Sequence, residues 1–480
     1  MTIPAQPTII VGGGFAGLFT ALHLQKQQYA HPVILIDPHD CFVFKPLLYE
    51  LLTDEIHRSQ ICIPYETLLN SKTQFIRAFV RSIDLQNRRL VLNTGAEYDY
   101  GKLVISLGSQ SNYFKTPGAA QYAFSFTSDA QAIRLKHHLM GRLTQARKTR
   151  DPVLRQALLT VAIIGAGPAG VELACTLADI LPVWYDSVDG DYDAIRIVLL
   201  NRGEEILKGD INDHLRQIAT TALDQRTIAI EKCFGITIAE ITEEGVAYDR
   251  SGQREFINSA TVIWTAGTQP HCLLQTLAIA PQDLDRSGRL RVRPTLQLPD
   301  YPEVFVGGDC AYLPEAPKPA TAQVAYQQGK AIAQNLVHLA TGKAPQPAQI
   351  SLRGTLLKLG MAEGVASLFN RVELIGEVGR LLRQATYLEL LPTPSYNLRQ
   401  TTEWLTDEVF QRHQVKSINP RHYGKTPFLR GMAATAASVM LAMPLAWRAL
   451  QPTQFDDRLA WTGVPELLNQ LTPDRNRTTQ

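Results

Sequence analysis

The chain has 480 residues, too many for one hydrophobic core, so roughly three domains are expected. A hydrophobic share of 45% against 19% charged residues excludes a disordered chain. A net charge of +2, with no long Lys/Arg run, excludes a nucleic-acid footprint, and no nucleic-acid partner is expected.

The N-terminus has neither the basic stretch nor the apolar run of a secretory signal. Thr8 to Val11 is a short β-branched apolar run and reads as a buried parallel strand. Gly12-Gly13-Gly14-Phe15-Ala16-Gly17 follows at once, and helical spacing continues from Leu18. In this G-x-G-x-x-G turn, Gly12 permits the tight turn, Gly14 lets the backbone approach a pyrophosphate, and Gly17 lets helix and strand pack closely. The helix N-terminus supplies free N–H groups to the phosphates. A second strand, Val33 to Ile36, ends at Asp37, about 20 residues on, where a ribose-binding carboxylate belongs.

Thr160 to Ile164 begins a second unit, with Gly165-Ala166-Gly167-Pro168-Ala169-Gly170 at the turn. The glycines that matter are Gly165, Gly167 and Gly170. An acidic stretch from Asp186 to Asp193 fails the Ca²⁺-loop spacing and reads as a solvated turn. The strand Ile195 to Leu200 then closes on Asn201-Arg202 instead of an acid. Arg202 suits a ribose 2′-phosphate, so NADPH stands open beside NADH, with Glu204 or Glu205 as the other candidates for the ribose. The competing reading makes Arg202 a solvated loop residue. Two such units in one chain imply electron transfer between two dinucleotides, one held and one exchanged.

Six cysteines, at 41, 62, 175, 233, 272 and 310, form no C-x-x-C pair and accompany no His cluster. They read as buried free thiols in a reducing compartment, and no metal site is expected.

The order of these motifs resembles the flavoproteins with two dinucleotide-binding domains, in which an NAD(P)H domain interrupts an FAD domain. Tyr98 to Gly108 and Thr261 to Gly267 look like the strand-then-glycine segments leading out of each fold. Val304 to Ala311 looks like the second FAD motif, which assigns Gly308 and Asp309 to FAD. Within that superfamily the chain resembles the type II (alternative) NAD(P)H:quinone oxidoreductases. Phe44-Lys45-Pro46-Leu47-Leu48-Tyr49 is similar to their F-x-P-L-L-Y segment and adds Lys45 to the cofactor-binding set. Ala322 to Gly329 is similar to their quinone-site helix. The resemblance also excludes relatives. Cys41 stands alone, with Pro46 where a disulfide reductase has its second cysteine, and no cysteine arrangement matches a sulfide:quinone oxidoreductase, although spacing alone leaves Cys175 and Cys310 open.

The resemblance implies an α/β fold with two doubly wound Rossmann-like domains, the NAD(P)H domain inserted in the FAD domain, and a C-terminal α+β membrane or dimer module. The expected division is residues 1–150 and 286–345 for FAD, 151–285 for NAD(P)H, and 346–480 for the module. Reduced nicotinamide then gives hydride to the flavin, and a membrane quinone takes two electrons. Gln323 and Gln327, four apart, share one helix face and can donate to quinone oxygens. The bland alternative is a helix capped and solvated by glutamines. Glu172, in the first turn of the second helix, is either favoured there by the helix dipole or relays a proton near the flavin–nicotinamide junction.

Strands are expected over residues 351–369 and helices over 381–414. The uncharged run 431–447, with cations upstream, reads as a monotopic anchor on the cytoplasmic face of a membrane; a packed helix at a homodimer interface and a membrane span are the other readings. Two further functions stay open: reduction of a naphthoquinone precursor in quinone biosynthesis, and an NAD(P)H-responsive redox sensor.

Overall fold

The computed structural model describes residues 6–392, apart from 210, 353 and 369–371. The expected anchor segment 431–447 and the helical spacing beyond residue 392 lie outside the described residues.

β1 (Thr8–Val11) leads into α1 (Phe15–Lys26), and β2 (Val33–Asp37) returns beside β1 in parallel, with Thr8 opposite Val33. The short helix α2 (Leu48–Leu52) follows, then β3 (Thr73–Arg77) and β4 (Lys102–Ile105). β5 (Phe124–Ser125), β6 (Thr160–Ile164), α3 (Pro168–Asp186), β7 (Arg196–Leu200), β8 (Ile230–Cys233) and β9 (Thr261–Trp264) form the second unit. The chain then comes back with β10 (Val304–Val306) and α4 (Ala322–Ala340). It continues as β11 (Gly354–Lys358), β12 (Gly364–Leu368), β13 (Val372–Gly376) and α5 (Glu377–Glu389).

The first sheet runs β10-β4-β1-β2-β3 and the second β5-β9-β6-β7-β8, both parallel throughout. Every residue of β1, β2, β6 and β9 is buried, as expected for parallel strands covered on both faces. The first sheet takes its last strand from beyond the second, so the second unit is inserted in the first. The two passages between them, Ser109–Ser111 outward and Thr268–Pro270 back, pair antiparallel with Ser109 opposite Pro270. The second sheet draws its edge strand β5 from upstream of residue 151. The strands expected after residue 350 are present as the antiparallel β11-β12-β13 sheet, followed by α5.

α4 lies against α1. A Cβ at Gly329 would stand 2.4 Å from the Ala16 carbonyl oxygen, and Thr20 Oγ1 donates to Gly329 O at 3.2 Å. Backbone meets backbone at this crossing.

One expectation is corrected. Cys41 and Cys62 are not free thiols but a disulfide, closing a separation of 21 residues. Their strands, Cys41–Val43 and Cys62–Pro64, pair antiparallel with Val43 opposite Cys62, which brings the two sulfurs together without any sequence motif. Cys175, Cys233 and Cys310 are buried free thiols as expected, whereas Cys272 is free but exposed.

Candidate active site

The two glycine turns are built alike. Gly12 has φ +96° and Gly165 φ +107°, and at each a Cβ would strike the backbone of the neighbouring strand end, at Ser106 and Ala266. A Cβ on Gly17 would meet Gly12 O at 1.9 Å, and one on Gly170 would meet Gly165 O at 1.8 Å, so strand and helix touch there. Gly14 and Gly167 face open space, with nothing within 4 Å. Each caps a helix N-terminus without any side-chain hydrogen bond. Open volume before uncapped N–H groups is what a pyrophosphate fills.

At the end of β2, Asp37 Oδ2 accepts from Gly13 N at 2.6 Å, and Oδ1 accepts from His39 N at 2.9 Å. The hydrogen bond to Asp37 raises the His39 imidazole above its ordinary value. Tyr65 Oη donates to Gly13 O at 2.9 Å and closes the other side of the turn. In the second unit Asn201 takes the place of Asp37: its Oδ1 accepts from Ala166 N at 3.3 Å. Its Nδ2 donates to Gly203 O and Glu205 O, both at 3.0 Å. The amide thus keeps the carboxylate's structural bond but brings no charge. Arg202, beside it, is exposed, and Glu205 is turned to Arg216 at 3.4 Å.

Asp309 follows β10 and accepts from Ser109 Oγ at 2.5 Å. Gly308 N donates to Gln328 Oε1 at 2.6 Å, so a glutamine of α4 fixes this turn. Gln328 was not singled out in the sequence, because it lies one position off the Gln323/Gln327 face. A cavity of about 200 Å³ opens here, walled by Lys45, Leu48, Tyr49, Gln110, Thr268 and Asp309, among others. Lys45 and Asp309 thus line the same cavity.

Gln323 and Gln327 share a face of α4, but Gln327 is engaged. Its Nε2 donates to Ser351 O at 2.9 Å, and its Oε1 accepts from Ser351 N at 3.0 Å. It fastens the segment leading into β11 to the helix, and neither glutamine lines the cavity.

Glu172 is buried in α3, and its Oε1 accepts from Lys358 N at 2.7 Å. Tyr49, whose hydroxyl is pushed well up by burial and by the charge of Glu172, walls the cavity. Burial raises the Glu172 carboxyl above its ordinary value, against the opposing pull of Arg383. Around the pair lies a buried charge cluster that the sequence did not suggest. Arg383 Nη1 holds Glu50 Oε1 at 2.5 Å, its Nη2 donates to Pro46 O at 2.9 Å, and its guanidinium covers the Tyr387 ring at 4.7 Å. Lys358 Nζ lies 3.2 Å from Glu50 Oε1 and pairs with Glu55. Burial pushes the Glu50 carboxyl up, but Arg383 and Lys358 outweigh it and hold it below its ordinary value.

The family model for pyridine nucleotide-disulphide oxidoreductases matches residues 6–329, well over half of the chain. The chain belongs to the pyridine nucleotide-disulphide oxidoreductase family. Among its relatives is the demethylphylloquinone reductase NdbB of Synechocystis, 34% identical over 84% of this chain and 96% of that protein. The type II NADH:quinone oxidoreductase Ndh of Mycobacterium tuberculosis is 29% identical over 81% of this chain and 86% of its own length. These similarities group the chain with the type II NAD(P)H:quinone oxidoreductases. The fold agrees: the NDH2 structure from Plasmodium falciparum in complex with NADH superposes with a TM-score of 0.75, at 16% identity, over 85% of this chain and 99% of that one.

As a member of this family the chain is an oxidoreductase using FAD and a nicotinamide dinucleotide. Its residues fit FAD: open space before Gly14, a buried Asp37 at the ribose position, and Asp309 beside a cavity. Burial pushes the Cys175 and Cys310 thiols up to about 12, which leaves no thiolate at neutral pH.

Proposed function

We propose that this protein is a non-proton-pumping NAD(P)H:quinone oxidoreductase that passes a hydride from NAD(P)H to FAD and two electrons on to a membrane quinone. The observation that carries this reading is the cavity beside Asp309. Its walls include Lys45, Leu48 and Tyr49, together with Gln110 and Thr268 on the two strands that join the dinucleotide units.

When bound, FAD accepts the hydride and delivers the electrons. The chain's own residues do the rest. Gly12, Gly14 and Gly17 receive the FAD pyrophosphate, Asp37 its ribose, and Gly308 and Asp309 its ribityl end, with Lys45 on the opposite wall. Gly165, Gly167 and Gly170 receive the nicotinamide dinucleotide, with Arg202 beside its adenosine ribose. Glu172 holds a proton at its carboxyl oxygen. Gln323 and Gln327 face the quinone. For Gln327 this requires its amide to leave Ser351.

The working division keeps residues 1–150 and 286–345 with FAD and 151–285 with NAD(P)H, and leaves 346–480 as a module for membrane and partner contact. The protein sits peripherally on the cytoplasmic face of a membrane through segment 431–447, with a homodimer as the second use of that segment. Among the described residues, no helix is long and apolar enough to cross a membrane.

A second reading, reduction of a naphthoquinone precursor in quinone biosynthesis, is favoured by the similarity to the Synechocystis demethylphylloquinone reductase. Steady-state oxidation of NADH and NADPH by the FAD-loaded protein, with a short-chain ubiquinone and a demethylated naphthoquinone as acceptors, tests both. Turnover with either acceptor supports quinone reduction, and strong preference for the naphthoquinone supports the biosynthetic role. Flavin reduction without turnover on either acceptor refutes both. Asn201→Asp restores the missing charge and is expected to lower NADPH use by about tenfold relative to NADH, from repulsion of the 2′-phosphate.

A further inference from the structure

We propose that Arg383 is a positioning residue for the cavity beside Asp309: from α5 it fixes the segment that carries Lys45, Leu48 and Tyr49 into the cavity wall. This rests on the placing of FAD beside Asp309 and names the group that holds part of its surroundings in place.

Residues 44–50 divide between two neighbours. Lys45, Leu48 and Tyr49 line the cavity, as Asp309 does. Phe44, Pro46 and Glu50 meet α5. The Phe44 ring stands edge-on to Tyr387, with centroids 5.7 Å apart, and has Phe15 of α1 at 5.4 Å. Pro46 O accepts from Arg383 Nη2 at 2.9 Å, and Nη1 of the same guanidinium donates to Glu50 Oε1 at 2.5 Å. The guanidinium in turn covers the Tyr387 ring at 4.7 Å, and Lys358 Nζ reaches the same Glu50 oxygen at 3.2 Å. Lys45–Leu47 is a single 3-10 turn and α2 has only five residues, too few internal hydrogen bonds to hold their own place. One side chain, 2% exposed, therefore grips this short segment both at its turn and in its helix.

The chemistry of the grip argues for placement more than for stability. A buried ion pair gains little over apolar groups of the same shape, because both charges must leave water. An apolar contact, however, tolerates many arrangements of the segment. A planar guanidinium presents its donors at fixed angles, and serving a carbonyl with one and a carboxylate with another fixes one arrangement. That arrangement sets where the Lys45 ammonium, the Leu48 side chain and the Tyr49 phenol stand. Arg383 does not itself line the cavity, so it acts through these residues.

The test uses full-length, FAD-loaded protein and two substitutions. Arg383→Met removes the whole fork. Arg383→Lys keeps a charge for Glu50, but an ammonium lacks the planar fork that serves Glu50 and Pro46 O together. Visible absorbance and fluorescence of the bound flavin, without substrate, report its surroundings directly. Steady-state turnover per bound FAD, with NADH and a short-chain ubiquinone, gives kcat and KM. Both variants are expected to shift the flavin bands and to lower kcat by about tenfold, with KM for NADH within about threefold, because a misplaced wall disturbs orientation more than binding. Urea midpoints should rank wild type above Lys above Met, so Arg383→Lys regains stability without regaining kcat. If kcat and the flavin bands recover in step with stability, the role is structural only and the proposal falls. Flavin bands and kcat unchanged in both variants overturn it as well. Should neither variant fold, Tyr387→Leu serves instead: it removes the ring against Phe44 and beneath the guanidinium but leaves every charge its partner. It should shift the flavin bands too, and unchanged bands there overturn the proposal. The spectral comparison needs no acceptor, so a failure of quinone reduction and a failure of this proposal are read out separately.

Discussion

Replacing Arg383 with methionine probes how α5 holds the cavity wall. Arg383 is almost fully buried, binds Glu50 at 2.5 Å and donates to Pro46 O at 2.9 Å. Methionine keeps most of the packing but leaves Glu50 without its nearest counter-charge. Removing one partner of a buried pair costs about 3–5 kcal/mol. Lys358 remains 3.2 Å from the same Glu50 oxygen, which places the expected loss near the lower end, at about 3 kcal/mol. Glu50→Gln should cost a comparable amount by stranding Arg383, and the double variant should lose clearly less than the sum. The pH dependence has a definite sign. Glu50 is held below its ordinary value by Arg383 and Lys358, despite its burial. Its contribution is therefore present above the unfolded carboxyl value of about 4.3 and is lost as pH falls through the lower folded value. The penalty of Arg383→Met should be largest near neutral pH and shrink in acid. Urea unfolding of the single and double variants at several pH values measures this. Additive losses below about 1 kcal/mol each would refute the reasoning, because they are what an exposed, solvent-screened pair gives.

Two more predictions concern stability. Glu172 has a raised carboxyl, so its contribution is fully present below the unfolded value and is lost as pH rises through the folded one. Glu172→Gln removes that loss: its melting temperature should exceed the wild type's at pH 7–8, with the gap closing toward pH 4, and a lower melting temperature at pH 8 would contradict a carboxyl raised by burial. Cys41→Ser with Cys62→Ser opens a 21-residue separation and should cost about 3 kcal/mol by the chain-entropy argument. Dithiothreitol should lower the wild type's unfolding midpoint and leave the double variant unchanged; a wild type indifferent to dithiothreitol would mean that the sulfurs contribute nothing.

What was legible in the sequence is local. The glycines at 12, 17, 165 and 170 are where backbone touches backbone, and that contact admits no other residue. Asp37 ends, and Asp309 follows, a strand whose apolar run announces it. The helix of Gln323 and Gln327 stands out by its resemblance to a quinone-site helix, but the glutamine spacing gives a face and not what the face meets. Gln327 meets Ser351, and the neighbouring Gln328 holds the Gly308 turn. The charge cluster is assembled around Glu172 from Glu50 and Glu55, Lys358 and Arg383, three segments far apart in the chain, and each of those four alone reads as a surface charge. The one local hint is a charge set in an apolar stretch, as in Leu48-Tyr49-Glu50-Leu51-Leu52. The disulfide was missed for the same reason: its cysteines meet only once two strands are in register.

The crossing of α1 and α4 bears on how such a chain can diversify. No side chain fits at position 329 unless the Ala16 carbonyl withdraws, and that peptide belongs to the first turn of α1. A larger residue at 329 must therefore move the start of α1, whereas exposed positions of α4, such as Lys330 and Gln334, carry no such constraint.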